Sequence, residues 1–195
     1  MSDGSSGSPH PQVVVTVGTD HHPFDRLVGW VDAWATRNPG VGVLVQRGES
    51  ASPAHVESVE MLGYDDLVAA MAGADAVVAQ GGPGAIMAAR SVGHRPIVAP
   101  RRATLGEHVD DHQVTFTAWM ADRDLVWLAA DEVELGALLD RALADPTALR
   151  IPPDSGAVEA TVAAFAAVVD PLLVSHRTGR THRSRRTRRP DRRAR

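Results

Sequence analysis

Three short segments of the chain carry groups that could bind an anionic ligand or move a proton. They are TDHH at residues 19–22, GGPGA at 81–85 and RRATLGEHVDDHQ at 101–113. Imidazole can take up a proton or donate a hydrogen bond to phosphate near neutral pH. Glycine lets a ligand approach the backbone closely, and the free N–H groups at a helix start attract anions. The three segments therefore favour a site for a phosphate or a sugar.

The first segment contains two adjacent histidines, His21 and His22, directly after Asp20. We interpret either histidine as a general base or as a hydrogen-bond donor to phosphate. A metal site made by these three residues is a weaker alternative, because adjacent side chains rarely converge on one ion. A solvent-exposed loop without chemistry is the remaining alternative.

The second segment is a glycine-rich turn that leads from a predicted strand into a predicted helix. Pro83 suits the first position of that helix, where its missing N–H would be unpaired in any case. The turn is neither a GxGxxG nor a GxxxxGK[ST] motif, and the chain contains no lysine at all. A tight turn that uses glycine only for its geometry is an equally good interpretation.

The third segment is unusually polar for a loop that follows a buried strand. Asp110 and Asp111 are explained by the dipole of a following helix, whereas His112 and Gln113 are not. A glutamine amide offers both a donor and an acceptor, which suits sugar hydroxyls. Arg101 and Arg102 are candidates for neutralising phosphate, with a solvated loop as the alternative.

Alternating strand and helix patterns must position these segments. Apolar runs predict six strands, at residues 12–18, 41–46, 56–62, 74–80, 95–100 and 125–129. Helices are predicted at 24–36, at 64–71, directly after the glycine turn, near 110–121, at 132–144 and at 157–169. This alternation predicts an α/β fold, an open and doubly wound, mostly parallel, Rossmann-like sheet. The three segments then follow the carboxyl ends of strands, where such sheets bind ligands.

Composition limits the protein classes and the domain boundaries. The chain has 195 residues and no cysteine, which excludes disulfides and thiolate chemistry. It has no apolar run long enough to span a bilayer, and its polar start lacks a signal core, so we expect a cytoplasmic protein. We predict a disordered segment at residues 1–11, one ligand-binding domain at 12–172 and an arginine-rich disordered tail at 173–195.

The charge is divided sharply between the predicted domain and the tail. Residues 176–195 contain ten arginines and one aspartate, a net charge of +9, whereas the rest of the chain holds ten arginines and 23 acids, a net charge of −13. Such a tail could bind an anionic membrane surface, bind nucleic acid without sequence specificity, or fold back on the acidic domain. A solvated tail without a partner is equally open.

The segments VTVGTDHHPFDRLV, QGGPGAIMAARSVGHRPIVAPR and GEHVDDHQ, in this order, resemble family 28 glycosyltransferases. The likeness is to the C-terminal-type, donor-binding half of the GT-B fold, and especially to single-domain subunits of split UDP-sugar transferases. It covers residues 12 to about 145. The resemblance implies a UDP-sugar as donor substrate, no cofactor, and an inverting transfer that needs no metal ion.

The resemblance also implies roles for residues that match the family motifs. It places Gly18 and Thr19 near the diphosphate. It places the second turn at the nucleotide, with Gly82, Pro83, Gly84 and Ala85. It places Asp111, His112 and Gln113 at the sugar, with the glutamine on the hydroxyls.

Two positions depart from the family pattern. The family histidine before the glycines is Gln80 here, and the helix acid expected to hold the ribose hydroxyls is Ala88. A methyl group accepts no hydrogen bond, so the loss costs on the order of 1–3 kcal/mol of donor binding unless another acid replaces it. Glu107 and Asp110 are the candidate substitutes.

The resemblance implies the donor-binding, catalytic subunit of a two-component enzyme of polysaccharide or glycoconjugate synthesis. It would move a hexose such as GlcNAc from a UDP-sugar to a lipid-linked acceptor, which a membrane-associated subunit presents at the inner face of the membrane. Ala88 favours the alternative of a non-catalytic nucleotide-sugar-binding or scaffold subunit. A generic Rossmann oxidoreductase is disfavoured by the absent GxGxxG, and a specific nucleic-acid binder by the acidic domain.

Overall fold

The computed structural model describes residues 10–153, which form one parallel sheet flanked by helices. The predicted helix at 157–169, the predicted tail at 173–195 and residues 1–9 of the predicted segment at 1–11 lie outside the described residues. No helix in the described part of the chain has both the length and the apolar character to cross a bilayer.

Six strands form the sheet, in the order β3-β2-β1-β4-β5-β6, and every neighbouring pair is parallel. The strands are β1 (Val13–Thr16), β2 (Val43–Gln46), β3 (Glu57–Val59), β4 (Ala76–Gln80), β5 (Ile97–Ala99) and β6 (Trp127–Leu128). The chain first builds outward from β1 to β3 and then crosses back to β4. The strand order therefore reverses between β1 and β4, which is where doubly wound sheets bind their ligands. The predicted fold class is confirmed.

Within residues 10–153, four α-helices connect successive strands, α1 (Asp25–Arg37), α2 (Tyr64–Gly73), α3 (Pro83–Ser91) and α4 (His112–Ala121), and a fifth, α5 (Glu132–Ala144), follows β6. Side chains of alternate residues in β1 point to opposite faces of the sheet. Val13 and Val15 belong to an apolar cluster with α1 and α5, and Val14 belongs to a second cluster with α2 and α3. Burial on both faces explains why the central strands read as unbroken apolar runs.

The helix predicted from residue 110 begins two residues later, at His112. The carboxylates of Asp110 and Asp111 instead accept hydrogen bonds from backbone N–H groups on either side of them. Asp110 accepts a hydrogen bond from the His112 N–H at 3.0 Å, and Asp111 accepts one from the Ala103 N–H at 2.8 Å. Aspartate competes in this way for backbone donors at helix starts.

A groove of about 490 Å³ lies at the opposite, amino end of the sheet. Asn38, Gly42 and His55 are among the residues that line it. None of the residues singled out from the sequence lies in this groove.

Candidate functional site

Gln80 joins the first two predicted segments at the end of β4. Gly18 has a φ of +79°, which favours glycine, and a Cβ built there would lie 2.8 Å from Gln80 Nε2. A Cβ built at Gly82 would lie 2.2 Å from the same atom. The loop after β1 and the turn after β4 therefore both pack against the side-chain amide of Gln80, at the point where the strand order reverses.

The third segment packs against the same turn. A Cβ at Gly81 would lie 2.6 Å from Thr117 Oγ1 and 3.0 Å from Gln113 Cβ, so α4 rests directly on the glycine turn. The Gln113 side chain is buried, and its Oε1 accepts a hydrogen bond from the Arg101 N–H at 3.1 Å. The structure thus brings all three predicted segments to the carboxyl edge of β1, β4 and β5.

Arg101 ties two of the loops together from inside the protein. Its side chain is fully buried and donates to the carbonyl oxygens of His22 at 2.6 Å, Val17 at 2.8 Å and Glu107 at 3.0 Å. The guanidinium also lies 4.8 Å from the centre of the Phe24 ring. These hydrogen bonds favour Arg101 as a residue that positions the loop carrying His22, and its expected contact with phosphate stays a prediction.

Glu107 is likewise occupied by protein partners. Its two carboxylate oxygens each accept a hydrogen bond of 2.7 Å from Arg26, and one of them also accepts from the Arg102 N–H at 2.9 Å. The Arg102 side chain donates to the Ala130 carbonyl at 2.8 Å. This geometry argues against Glu107 as a replacement for the missing ribose-binding acid.

Ala88 itself lies on the side of α3 that faces the sheet. It is buried in the apolar cluster that includes Val14, Met71 and Val77. An apolar packing contact stands where the family pattern has a carboxylate. Of the two candidate substitutes, only Asp110 keeps an exposed carboxylate in this structure.

Asp20 and His22 form a dyad in the loop after β1. Asp20 Oδ1 accepts from the His22 N–H at 2.7 Å and lies 2.6 Å from His22 Nδ1. Burial disfavours the charged carboxylate, but the hydrogen bonds from His22 outweigh this and lower the pKa of Asp20. The ionised carboxylate orients the imidazole with Nε2 pointing away from it, the arrangement expected of a general base. The neighbouring His21 ring is 83 % exposed.

His108 is a site residue that the sequence interpretation missed. Its ring stacks on His22 at 5.9 Å between centroids and meets the His112 ring edge-on at 4.6 Å. Burial and the nearby His112 lower its pKa, partly offset by Asp20 and Asp110. The four-residue spacing of His108 and His112 is visible in the sequence and could have identified the pair.

The start of α3 is open towards this edge of the sheet. Gly82 precedes the helix and Pro83 occupies its first position, as expected, and no side chain caps the first turn. A Cβ built at Gly84 would meet nothing within 4 Å. Thr19 and Gly84 are exposed and Ala85 is half-buried. The N–H groups at the helix start are thus accessible to an anion.

A Rossmann-like sheet with an open helix start and a histidine loop at its switch point fits the donor-binding half of a glycosyltransferase. The profile of the glycosyltransferase family 28 C-terminal domain matches residues 12–165. The chain belongs to this family, and the resemblance stated from the sequence is confirmed. No curated protein sequence matches the chain significantly.

One solved structure supports the fold. The glycosyltransferase of kitacinnamycin superposes with a TM-score of 0.51 at 16 % identity, over 75 % of this chain and 38 % of that one. MurG of Acinetobacter baumannii superposes with a TM-score of 0.49 at 18 % identity, over 71 % of this chain and 43 % of that one. The chain therefore matches well under half the length of either protein.

Proposed function

We propose that this chain is the donor-binding, catalytic subunit of a two-component glycosyltransferase, and that it holds a UDP-sugar at the carboxyl edge of its sheet. The observation that carries the proposal is the meeting of three segments at the glycine turn after β4, at the switch point of the sheet. Membership of family 28 supports a nucleotide-sugar as the ligand of that edge.

The diphosphate is assigned to the glycine turn. The N–H groups of Gly84 and Ala85 open α3, and no side chain caps this turn. The helix dipole and these donors stabilise negative charge as the diphosphate leaves. Gly18 and Thr19 approach the same place from β1. We propose that the transfer itself needs no metal ion, because fixed backbone dipoles supply this stabilisation.

The sugar is assigned to the start of α4. The Gln113 amide is held through its Oε1 by the Arg101 N–H. Its Nε2 group has no acceptor among residues 10–153 and is the part that can donate to a sugar hydroxyl. His112 and Asp111 flank it at the first turn of the helix.

The role of general base is assigned to His22. In an inverting transfer the oxygen of the acceptor hydroxyl bonds to the anomeric carbon while the bond from that carbon to the diphosphate breaks. His22 Nε2 takes the hydroxyl proton, and Asp20 stabilises the resulting imidazolium. UDP leaves with the bonding electron pair. His21, with its exposed ring, is the less suitable of the two predicted histidines.

The acceptor is assigned to a separate, membrane-associated subunit that presents a lipid-linked sugar or phosphate at the inner face of the membrane. Two exposed apolar side chains, Leu105 and Val109, border the site and suit a protein partner. The arginine-rich tail suits anionic lipid. Deleting residues 176–195 should reduce binding to anionic vesicles and leave UDP affinity unchanged. Vesicle binding that survives the deletion would contradict the membrane role.

The buried Ala88 favours one competing function, a nucleotide-sugar-binding or scaffold subunit without catalysis. The two functions differ in what a His22→Gln variant does. If the chain is catalytic, the variant keeps UDP affinity and loses transfer in the presence of the acceptor subunit. A variant that transfers as fast as the wild type would contradict the role of His22.

Two glycines in open helical positions provide the direct test of donor binding. A Cβ meets nothing within 4 Å at Gly84 in α3 or at Gly29 in α1. Alanine at either position should keep or raise thermal stability, because it reduces the entropy of the unfolded chain. Only Gly84→Ala places a methyl group in the proposed diphosphate site.

Calorimetric titration with UDP should therefore show an affinity at least about tenfold weaker for Gly84→Ala, or ~1.4 kcal/mol, and unchanged for Gly29→Ala. Equal affinities in the two variants would place the ligand elsewhere and refute the proposal.

A further inference from the structure

The loop between β5 and α4 ends in a cluster of two histidines and an aspartate that the proposed transfer does not use together. His108, Asp110 and His112 each offer one ligand atom, and these atoms all lie within 4.8 Å of one another. We propose that the three residues bind a divalent transition-metal ion, for which Zn²⁺ is the best match. The cluster shares His112 with the proposed sugar site, but its test measures binding of the metal alone and does not depend on the proposed function.

The ligand atoms already lie close together. His108 Nδ1 lies 3.8 Å from Asp110 Oδ1, and His112 Nδ1 is in direct contact with the same oxygen. Ligands of a tetrahedral zinc ion stand about 3.3–3.5 Å apart. The Asp110 carboxylate is exposed, so a small rotation of this side chain admits the ion between the two rings.

His108 provides the strongest support for a metal ion in this cluster. Its Nδ1 atom is buried and has no hydrogen-bond partner within residues 10–153. A buried nitrogen without a partner is costly, and a metal ion at the centre of the cluster would satisfy it.

The second nitrogen of the same ring has the support that metal-binding histidines usually have. His108 Nε2 lies 3.5 Å from Asp20 Oδ2, in the loop after β1. A carboxylate behind a ligating histidine fixes its tautomer, so that the other nitrogen presents its lone pair to the metal. Here that arrangement leaves Nδ1 as the ligand atom, the same atom that lacks a partner.

The chemistry of the ligand set selects the ion. Two imidazole nitrogens and one carboxylate oxygen suit zinc and its neighbours, whereas magnesium and calcium prefer oxygen ligands. Three protein ligands also leave a coordination position open. Through Asp20, the bound ion would link the loop before α4 to the loop after β1.

Calorimetric titration of the full chain with ZnCl₂ is the test, with Asp110→Asn and His112→Gln as variants. Asparagine at 110 keeps an oxygen that can accept from the His112 N–H but weakens the metal ligand. The matched control is His55→Gln, because His55 Nδ1 also lies 3.0 Å from an aspartate, Asp32, without a third ligand in its group.

We expect micromolar binding of Zn²⁺ by the wild type, a dissociation constant roughly 100-fold larger in His112→Gln, and no change in His55→Gln. Asp20→Asn should weaken binding about 10–100-fold, as other supporting carboxylates do. Histidines elsewhere in the chain contribute equally to the wild type, His112→Gln and His55→Gln, so the differences among these three report this cluster, whereas Asp20→Asn also alters the group of Asp20, His21 and His22. Equal binding in His112→Gln and His55→Gln, or binding of Mg²⁺ as tight as that of Zn²⁺, would overturn the proposal.

Discussion

Replacing Arg101 by methionine separates the structural role seen here from direct contact with a phosphate. The substitution keeps much of the aliphatic stem and removes the guanidinium, which donates three hydrogen bonds of 2.6–3.0 Å to the carbonyls of His22, Val17 and Glu107. Hydrogen bonds from a charged donor contribute about 1.5–3 kcal/mol each, and the cost of burying the charge offsets part of this sum. We expect the free energy of unfolding to fall by about 3–5 kcal/mol.

The adjacent Arg102→Met substitution is the matched control. Arg102 donates one side-chain hydrogen bond to the Ala130 carbonyl, near the surface. Its loss should cost less than about 1 kcal/mol. Urea unfolding measures both values, provided that the slope of the free energy against urea is the same in the two variants.

The UDP affinity of Arg101→Met distinguishes between the two roles of Arg101. An Arg101→Met protein that is as stable as the wild type but has lost UDP affinity would mean that the arginine contacts the phosphate. Such a result would refute the reasoning from burial and hydrogen bonding.

Three further predictions follow from individual contacts. Gly81→Ala should destabilise the fold by about 1–3 kcal/mol in urea unfolding, because its Cβ would lie 2.6 Å from Thr117 Oγ1; an unaffected variant would mean that α4 does not rest on the turn. Burial lowers the pKa of His94 to about 4 from 6.5. As the pH falls, the unfolded state therefore takes up a proton on this histidine at a higher pH than the folded state does, and about 3 kcal/mol of stability should be lost between pH 6.5 and pH 4. His94→Leu should remove this part of the pH dependence. Gln113→Glu keeps an oxygen for the Arg101 N–H but replaces the amide donor, so it should weaken binding of the UDP-sugar more than that of UDP; equal losses would contradict its role at the sugar.

The architecture could be predicted because its causes are local in sequence. The β-branched run around Val13–Thr16 is buried on both faces, and such a run is typical of a parallel strand covered by helices on both sides. Once strands and helices alternate, the direction of the sheet and its ligand-binding edge follow. The convergence of the three segments is a consequence of that topology, since each segment follows the carboxyl end of a strand.

The roles of single charged side chains could not be predicted in the same way. Arg101 meets the Val17 carbonyl across 84 positions of the chain, and Glu107 meets Arg26 across 81. An arginine in a polar loop has the same local sequence whether it turns outward to a phosphate or inward to buried carbonyls. The orientation of the arginine depends on how the loop after β1 packs against it, and local sequence patterns do not encode that packing.

The glycine turn precedes α3 as predicted, and α4 begins two residues later than predicted. The contacts of the site residues with a ligand stay predictions. The spacing of His108 and His112 was visible in the sequence, but the approach of His108 to Asp20 joins two separate loops and could not be predicted from local patterns. At Ala88 the sequence showed that the expected acid is absent, and the structure adds that the alanine packs in an apolar cluster.

Amide hydrogen exchange with and without UDP tests the central claim most directly, because it reports where the ligand lies without a substitution. We expect slower exchange at Gly18, Thr19, Gly84 and Ala85 when UDP is bound. Protection confined to the groove at the opposite end of the sheet, which Asn38 lines, or no protection anywhere, would contradict it.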